Sequence, residues 1–479
     1  DSDMKNLFSA SEAAPYVKTG GLGDVAYALP NELANHPDVE VAVILPYYKK
    51  IKFNPQYNIE FVTSFGVPLS WRVLHCGIFK ATTSKPNFTY YFVDNEYYFN
   101  RNNVYGDYDD GERFAYFSRA ILEAISHINF YPDVIHCNDW QTALVPAFLK
   151  CFYNHIPEYQ RIKTLFTIHN IEYQGKVPHA FFREVLGLPE DWHGTMTYDT
   201  CLNFMKSAIV LADKVSTVSK TYSFEIRNAY FAHGLENIIQ QYSYKLAGIV
   251  NGIDTDLYNA QTDKNIYKNF GPGDLDTKAE NKMFLQHKLG LPVDRNIPMI
   301  AMVTRLASHK GLDLVEYVAG EMMQLPIQFV VIGTGEERFE NLFHRLAWEN
   351  PGKMSANIMF DPVLAQQLYA SADLFLMPSK SEPCGLSQLI AMRYGTLPVV
   401  RETGGLFDTV QPIDVETGEG RGFTFKTYNA HDMLNSIKTA IWFYNERKDQ
   451  LRTVVTHDME LDLSWKEPAR QYLDLYYHL

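Results

Sequence analysis

The chain has 479 residues. At about 100–200 residues per domain, two large domains are the simplest division. Hydrophobic residues make up 46% and charged residues 21%, an ordinary globular composition that excludes disordered, collagen-like and coiled-coil chains. There are 43 Lys and Arg against 56 Asp and Glu, a net charge of −13. No nucleic-acid partner and no anionic membrane surface is expected from that balance, although a few local cations can still hold a small phosphate.

No apolar run approaches the roughly 20 residues a membrane span needs. The interrupted apolar residues Met4, Leu7 and Phe8 do not read as a signal peptide, and Asp1 to Asp3 read as a processed end or an expression remnant. The five cysteines (Cys76, Cys137, Cys151, Cys201 and Cys384) are scattered and contain no C-x-x-C. That argues against a disulfide framework or zinc site and for a reducing compartment.

Apolar strand-like runs alternate with helix-like stretches along the whole chain. Strands are expected at residues 5–9, 39–45, 88–93, 134–137, 164–168 and 215–218. Helices are expected at 24–35, 112–128 and 141–152. The pattern restarts near residue 245, with strands at 297–303, 329–332, 374–377 and 398–400. A Tyr/Leu-rich amphipathic helix closes the chain at 467–479. Short strands alternating with helices predict an α/β fold with parallel sheets. The expected division is 1–245, 246–456, and a terminal segment 457–479 that packs on the first domain.

Ligands of open α/β sheets sit at the carboxyl ends of the strands, so the polar residues just after each strand matter most. Lys18-Thr19-Gly20-Gly21-Leu22-Gly23-Asp24 follows the first strand and opens a helix. Free N–H groups at a helix start, glycines and a lysine suit a diphosphate. A tight strand-to-helix turn explains a glycine run alone equally well. The run is neither G-x-G-x-x-G nor a Walker motif.

His136-Cys137-Asn138-Asp139-Trp140 and Thr167-Ile168-His169-Asn170 end two further strands. Asp139 can cap the following helix or touch ligand. His169 can bond a sugar hydroxyl or be a satisfied structural histidine. In the second half, Arg305 and Lys310 form a compact anion clamp after a strand, Arg gripping oxygens bidentately and Lys acting as a point charge.

Ser381-Glu382-Pro383-Cys384-Gly385-Leu386 follows the 374–377 strand. Pro383 predicts the first turn of a helix reaching about Tyr394, with Glu382 at its start, either as a cap or facing sugar hydroxyls. Thr403-Gly404-Gly405-Leu406 is a second glycine turn suited to backbone approach. Two D-x-D triplets, Asp254-Thr255-Asp256 and Asp274-Leu275-Asp276, lie in a turn-rich stretch and are read as chance or capping. No G-x-S-x-G or H-E-x-x-H occurs, so the corresponding hydrolase and zincin templates fail.

With these motifs, the sequence resembles the bacterial glycogen synthases and plant starch synthases that use ADP-glucose. The likeness runs over essentially the whole chain. It includes KTGGLGDV from Lys18, YFNRNNVYG from Tyr98, HCNDW from His136, TIHNIEYQG from Thr167, VNGID from Val250, EPCGLSQ from Glu382 and TGGLFDTV from Thr403. The resemblance implies the GT-B fold: two Rossmann-like domains facing across a catalytic cleft, with a C-terminal helix crossing back. It implies retaining transfer of glucose from ADP-glucose to the non-reducing end of an α-1,4-glucan, without metal or other cofactor, in the bacterial cytoplasm or a plant plastid.

By carry-over, Arg305 and Lys310 neutralise the departing diphosphate, and Glu382 holds the donor glucose, aided by Cys384, Gly385 and Leu386. Lys18, Gly20, Gly21 and Asp24 belong to the donor side, as do Thr403, Gly404 and Gly405. His169 and Asn170 line the glucose pocket, with Asp139 and Trp140 near; Asn251 and Tyr105 are further sugar contacts. Ile390 stands where many related transferases carry a second Glu, as in the starch and glycogen synthase branch. Ser387 and Ala260 replace a common Thr and Pro.

Retention through two carboxylates needs a pair about 5–5.5 Å apart, and no strand-end pair offers one. Front-face attack is the alternative, with the leaving phosphate accepting the acceptor's proton. Competing readings are a sucrose-type or UDP-sugar transferase, a pyridoxal-phosphate phosphorylase, and a silent glucan-binding protein.

Overall fold

The computed structural model describes residues 3–479; Asp1 and Ser2 lie outside the described residues. Its backbone contacts separate two units. Unit 1 is Asp1–Asn251 with Trp465–Leu479, and unit 2 is Gly252–Ser464. The changes of unit therefore follow residues 251 and 464, rather than the expected 245 and 456.

Unit 1 is built on a nine-stranded sheet. Its strands are β1 (Met4–Ser9), β2 (Val39–Pro46), β3 (Glu60–Leu69), β4 (Arg72–Thr82), β5 (Phe88–Asp94), β6 (Val134–Asn138) and β7 (Lys163–Ile168). A small antiparallel sheet of β8 (Lys176–Val177), β9 (Thr197–Tyr198) and β10 (Cys201–Asn203) follows. Then β11 (Lys214–Thr217) and β12 (Leu246–Gly248) complete the main sheet. Its order is β12-β11-β7-β6-β1-β2-β5-β4-β3. All pairings are parallel except β5–β4–β3, a meander at one edge.

The parallel strands read as near-continuous apolar runs because helices cover both faces; in β2 only Glu40 is not buried. The helix Gly21–Leu33 turns Leu22, Val25, Ala26, Leu29 and Leu33 inward, the spacing of one helical stripe. Against it packs the last helix, Lys466–Tyr477, which buries Ala469, Tyr472 and Tyr476. Tyr476 reaches the sheet itself: its hydroxyl lies 2.6 Å from His136 Nδ1 and accepts from Asn6 Nδ2 at 3.2 Å.

Unit 2 carries β13 (Met299–Val303), β14 (Gln328–Ile332), β15 (Met354–Asn357), β16 (Leu374–Met377), β17 (Leu397–Arg401) and β18 (Phe423–Phe425). They form one parallel sheet, ordered β15-β14-β13-β16-β17-β18. Counted within the unit that is 3-2-1-4-5-6, the doubly wound nucleotide-binding order. The direction of winding reverses between β13 and β16, and in unit 1 between β1 and β6. In open α/β sheets such reversals leave a crevice at the carboxyl ends of the strands, so ligand groups are expected just beyond these four strand ends.

Candidate active site

In unit 1, β1 runs into Glu12, which is 3% exposed. One carboxylate oxygen, Oε2, accepts from three backbone N–H groups: Thr19 at 2.9 Å, Gly20 at 3.1 Å and Gly23 at 3.2 Å. The other, Oε1, accepts from the Thr19 and Tyr105 hydroxyls, both at 2.7 Å. The glycine turn is thus wound around a buried acid. A Cβ on Gly23 would lie 2.9 Å from Glu12 Oε2, so this glycine serves the protein's own packing. Added Cβ atoms on Gly20 and Gly21 meet nothing within 4 Å; those two leave backbone open to solvent. Lys18 pairs with Asp24 at 2.9 Å, both partly exposed.

Beyond β6 and β7 lie Asp139 and His169. Asp139 takes φ 60 and ψ −176, a region that costs a non-glycine residue about 1–3 kcal/mol. It does not cap the short helix Trp140–Thr142; its Oδ1 accepts from the His169 backbone N–H at 2.7 Å. Burial raises its carboxyl to about 7, opposed by the N–H groups of His169 and Asn170 and assisted by Glu12. Burial lowers the His169 imidazole to about 4, so the ring is neutral at physiological pH. Its Nε2 lies 2.9 Å from Asn138 Oδ1.

Other expected residues of unit 1 are tied up within the protein. The Tyr105 hydroxyl is held between Ser11 Oγ, 2.6 Å away, and Glu12. Asn170 Oδ1 accepts from Glu172 N–H. Trp140 stands edge-on to Phe114, over Gly175, whose added Cβ would lie 2.7 Å from the indole. Asn251 ends the unit, buried, with its Oδ1 unpartnered among the described residues.

In unit 2, Arg305 follows β13, is exposed, and makes no side-chain hydrogen bond or ion pair among the described residues. Its loop is fixed by the Leu306 backbone, which donates to Thr334 O and accepts from Glu336 N–H. Lys310 closes a short turn, Ser308–Lys310. Gly311 follows at φ +79, with an added Cβ only 2.0 Å from Pro378 O, so the β13 loop lies directly on the β16 loop. That contact brings Lys310 Nζ to 3.0 and 3.1 Å from the two oxygens of Glu382. Ser379 Oγ donates to Glu382 Oε1 at 3.0 Å. The cation expected on phosphate and the acid expected on sugar therefore form one pair.

Two expectations for this segment change. The helix after β16 is Ser387–Arg393, and Pro383 is not in its first turn. Gly385, at φ +75, breaks the chain beforehand, and Gly405 N–H takes up the carbonyls of Glu382 and Pro383 at 3.1 and 3.0 Å. Glu382 is thus a loop residue and not a helix cap. The second glycine turn, buried with Thr403, also packs inward. Added Cβ atoms on Gly404 and Gly405 would lie 1.9 Å from Glu382 O and Cys384 O. These glycines let one loop lie on another.

The first acid of each D-x-D triplet caps backbone, and Asp276 pairs with Arg295. Asp254 Oδ1 accepts from the N–H of Asp256 and Leu257, and Asp274 Oδ1 from Thr277. Glu12, Asn138 and Ser379 are the site residues that sequence reasoning missed.

Residues 5–241 match the starch synthase catalytic domain model and residues 285–452 the glycosyl transferases group 1 model. Glycogen synthase from Clostridium acetobutylicum is 49% identical over 476 residues, covering 99% of both chains. That of Alkaliphilus metalliredigens is 47% identical over 475 residues, with 99% of each covered. The chain belongs to the glycogen synthase and starch synthase family. The catalytic domain of starch synthase IV from Arabidopsis thaliana, bound to ADP and acarbose, superposes with a TM-score of 0.90 at 32% identity. All of this chain and 99% of that one are covered. Sucrose-phosphate synthase from Thermosynechococcus elongatus shares the fold at TM-score 0.63, 17% identity, and 99% and 98% coverage. The fold is GT-B, and the family is one of retaining glycosyltransferases.

Proposed function

We propose that this protein transfers glucose from ADP-glucose to the non-reducing end of an α-1,4-glucan, retaining the anomeric configuration. The observation that carries the reading is the cluster at the unit 2 switch point: Arg305, whose side chain has no partner among the described residues, and Lys310 within 3.1 Å of the Glu382 carboxylate. Two cations answer a diphosphate, and one acid answers sugar hydroxyls. The full-length likeness to glycogen synthases supports glucan as acceptor. The ADP-bound starch synthase neighbour supports an adenine nucleotide on the donor.

In this mechanism Arg305 and Lys310 stabilise negative charge as the diphosphate leaves. Glu382 orients the donor glucose. The leaving phosphate oxygen takes the proton of the attacking glucan hydroxyl on the same face. Neutral His169 faces the sugar as a hydrogen-bonding group, and the open Gly20–Gly21 backbone approaches donor oxygens. Side-chain cations supply the positive charge, so the reaction proceeds without metal. A cytoplasmic setting belongs to this reading, the relatives named above being bacterial. No described helix is long and apolar enough to cross a membrane.

Labelled glucose transfer onto glycogen tests this, with ADP-glucose and UDP-glucose side by side and EDTA present. Incorporation from ADP-glucose despite EDTA is expected. No incorporation from either donor, with ADP still bound, would make the chain a binding protein. A UDP preference would refute the donor assignment.

A further inference from the structure

The residues that end β6 grip His169 at two points. Asp139 holds its backbone N–H, and Asn138 holds its ring. Which ring nitrogen carries the proton follows from the far end of the Asn138 amide. Asn138 is fully buried, and its Nδ2 lies 3.0 Å from the carbonyl oxygen of Ser9 and 3.4 Å from that of His136. Carbonyl oxygens only accept, so the NH₂ group must face them and Oδ1 must face the histidine. The His169 nitrogen opposite Oδ1 is therefore a donor, Nε2–H. Nδ1 is left with its lone pair and no hydrogen-bond partner among the described residues.

We propose that Asn138 is a positioning residue that locks His169 in the Nε2–H tautomer and so presents Nδ1 as an acceptor to a hydroxyl of the donor sugar. This rests on reading His169 as a glucose-pocket residue. One ring nitrogen's role is commonly set by the bond the other makes. Here an amide does what a carboxylate would do badly. A carboxylate opposite Nε2–H would hold a second proton on the ring, and Nδ1 would become a donor. Burial works in the same direction, keeping the imidazole neutral. The titratable groups that act on it are His136 on β6 and Asp139 just after it; Glu12, from the loop after β1, and Tyr222, on the helix Lys220–Glu225, act on Asp139 in turn.

The test is the ring ¹⁵N spectrum of His169 in the intact protein, assigned by its loss in His169→Gln. Protonated Nε2 and bare Nδ1 are expected, unchanged from about pH 8 to about pH 5. An Nδ1–H tautomer overturns the proposal. This reading does not depend on turnover, so an inactive protein would refute the proposed function and leave the tautomer still decided.

Asn138→Asp gives the functional arm. Its carboxylate should raise the His169 pKa into the range followed, so that the ring charges as pH falls. Turnover should then drop on the order of 10²-fold at the acid end and recover toward the alkaline end, with ADP affinity unchanged. A charged His169 with undiminished kcat would overturn the proposal. If this variant does not fold, the wild-type spectrum alone decides.

Discussion

Glu12 organises the first glycine turn, and its two oxygens do different work. Replacing it with alanine removes five hydrogen bonds, although Gly23 N–H keeps Gly20 O at 3.2 Å and the Tyr105 hydroxyl keeps Ser11 Oγ at 2.6 Å. Thr19 and Gly20 are exposed and can turn to water, whereas Gly23 N–H is buried and the Tyr105 hydroxyl is half-buried. Hydrogen bonds to a charged group are each worth about 1.5–3 kcal/mol, so losing these two should cost at most about 3–6 kcal/mol, the partners that remain offsetting part of it. Glutamine should cost much less. Its carbonyl can take the place of Oε2 and keep all three backbone N–H groups. Its NH₂ then meets only hydroxyls, which can rotate to accept. A loss of about 1 kcal/mol is expected for that exchange. Amide hydrogen exchange at Gly23 reads the turn directly. It should speed up by at most about 10²–10⁴-fold in Glu12→Ala and far less in Glu12→Gln, with the ADP-glucose KM rising in the same order. Equal damage in both variants would mean that charge, and not the lone-pair geometry, holds the turn. An unchanged Glu12→Ala would refute the account.

Arg305→Ala should lower kcat by about 10²–10³-fold with an unchanged melting temperature, because the side chain is exposed and unpartnered; near-normal turnover would remove Arg305 from the site. Lys310→Ala should lose as much activity and also about 3–5 kcal/mol of stability, since it leaves the buried Glu382 unpaired, measurable by denaturant unfolding. Gly404→Ala should destabilise the protein, its Cβ lying 1.9 Å from Glu382 O. Gly20→Ala, meeting nothing within 4 Å, should leave the melting temperature unchanged and weaken ADP binding, as calorimetry would record. Asp458 is buried, with neither carboxyl oxygen partnered among the described residues, and burial lifts it from 3.8 to about 9 against the pull of Arg421. A raised folded pKa means stability present below the unfolded value and lost as pH rises toward the folded one. At pH 7 the gap from 3.8, at about 1.36 kcal/mol per pH unit, is about 4 kcal/mol. Asp458→Asn should recover that at pH 7 and nothing near pH 4; a pH-independent gain would exclude this cause.

The parallel strands were legible because strands covered on both faces are simple apolar runs; the run 374–377 coincides with β16. The β3–β4 edge was not. Its residues alternate in burial and include exposed Phe61, Trp71 and Val73, so they lack a continuous apolar signal. Strand-end residues such as Arg305, Glu382 and His169 stood out because topology alone puts them beside a ligand. Their partners did not. Glu12 is one acid in a loop otherwise rich in small apolar residues, and only the folded turn shows three N–H groups converging on it. The close approach of the Cβ sides of Gly404 and Gly405 to the Glu382 loop was not legible either, because a glycine turn in sequence does not name the loop it packs on. Pro383 misled for a related reason: a proline permits a helix start, but Gly385 two residues later postpones it.

The Lys310–Glu382 pair bears on why the whole donor, and not one of its halves, should be the preferred ligand. The Glu382 side chain is 10% exposed and that of Lys310 19%. Pulling such a pair apart without replacement costs several kcal/mol, because a buried charge is left alone. Free ADP can offer phosphate oxygens to Lys310 but nothing to Glu382. Glucose offers hydroxyl donors to Glu382 but nothing to Lys310. A sugar nucleoside diphosphate supplies both replacements in one molecule, so the pair can open with neither charge abandoned. Glu382→Gln removes the reason for this preference. The amide no longer needs Lys310 as counter-ion, and the lysine is released to phosphate. ADP should then bind at least as tightly as to the wild type, while a non-transferable ADP-glucose analogue loses its advantage over ADP. Calorimetry of both ligands on both proteins measures the difference. An advantage of the analogue that survives in Glu382→Gln would show that the sugar is held elsewhere and that the ion pair does not select the donor.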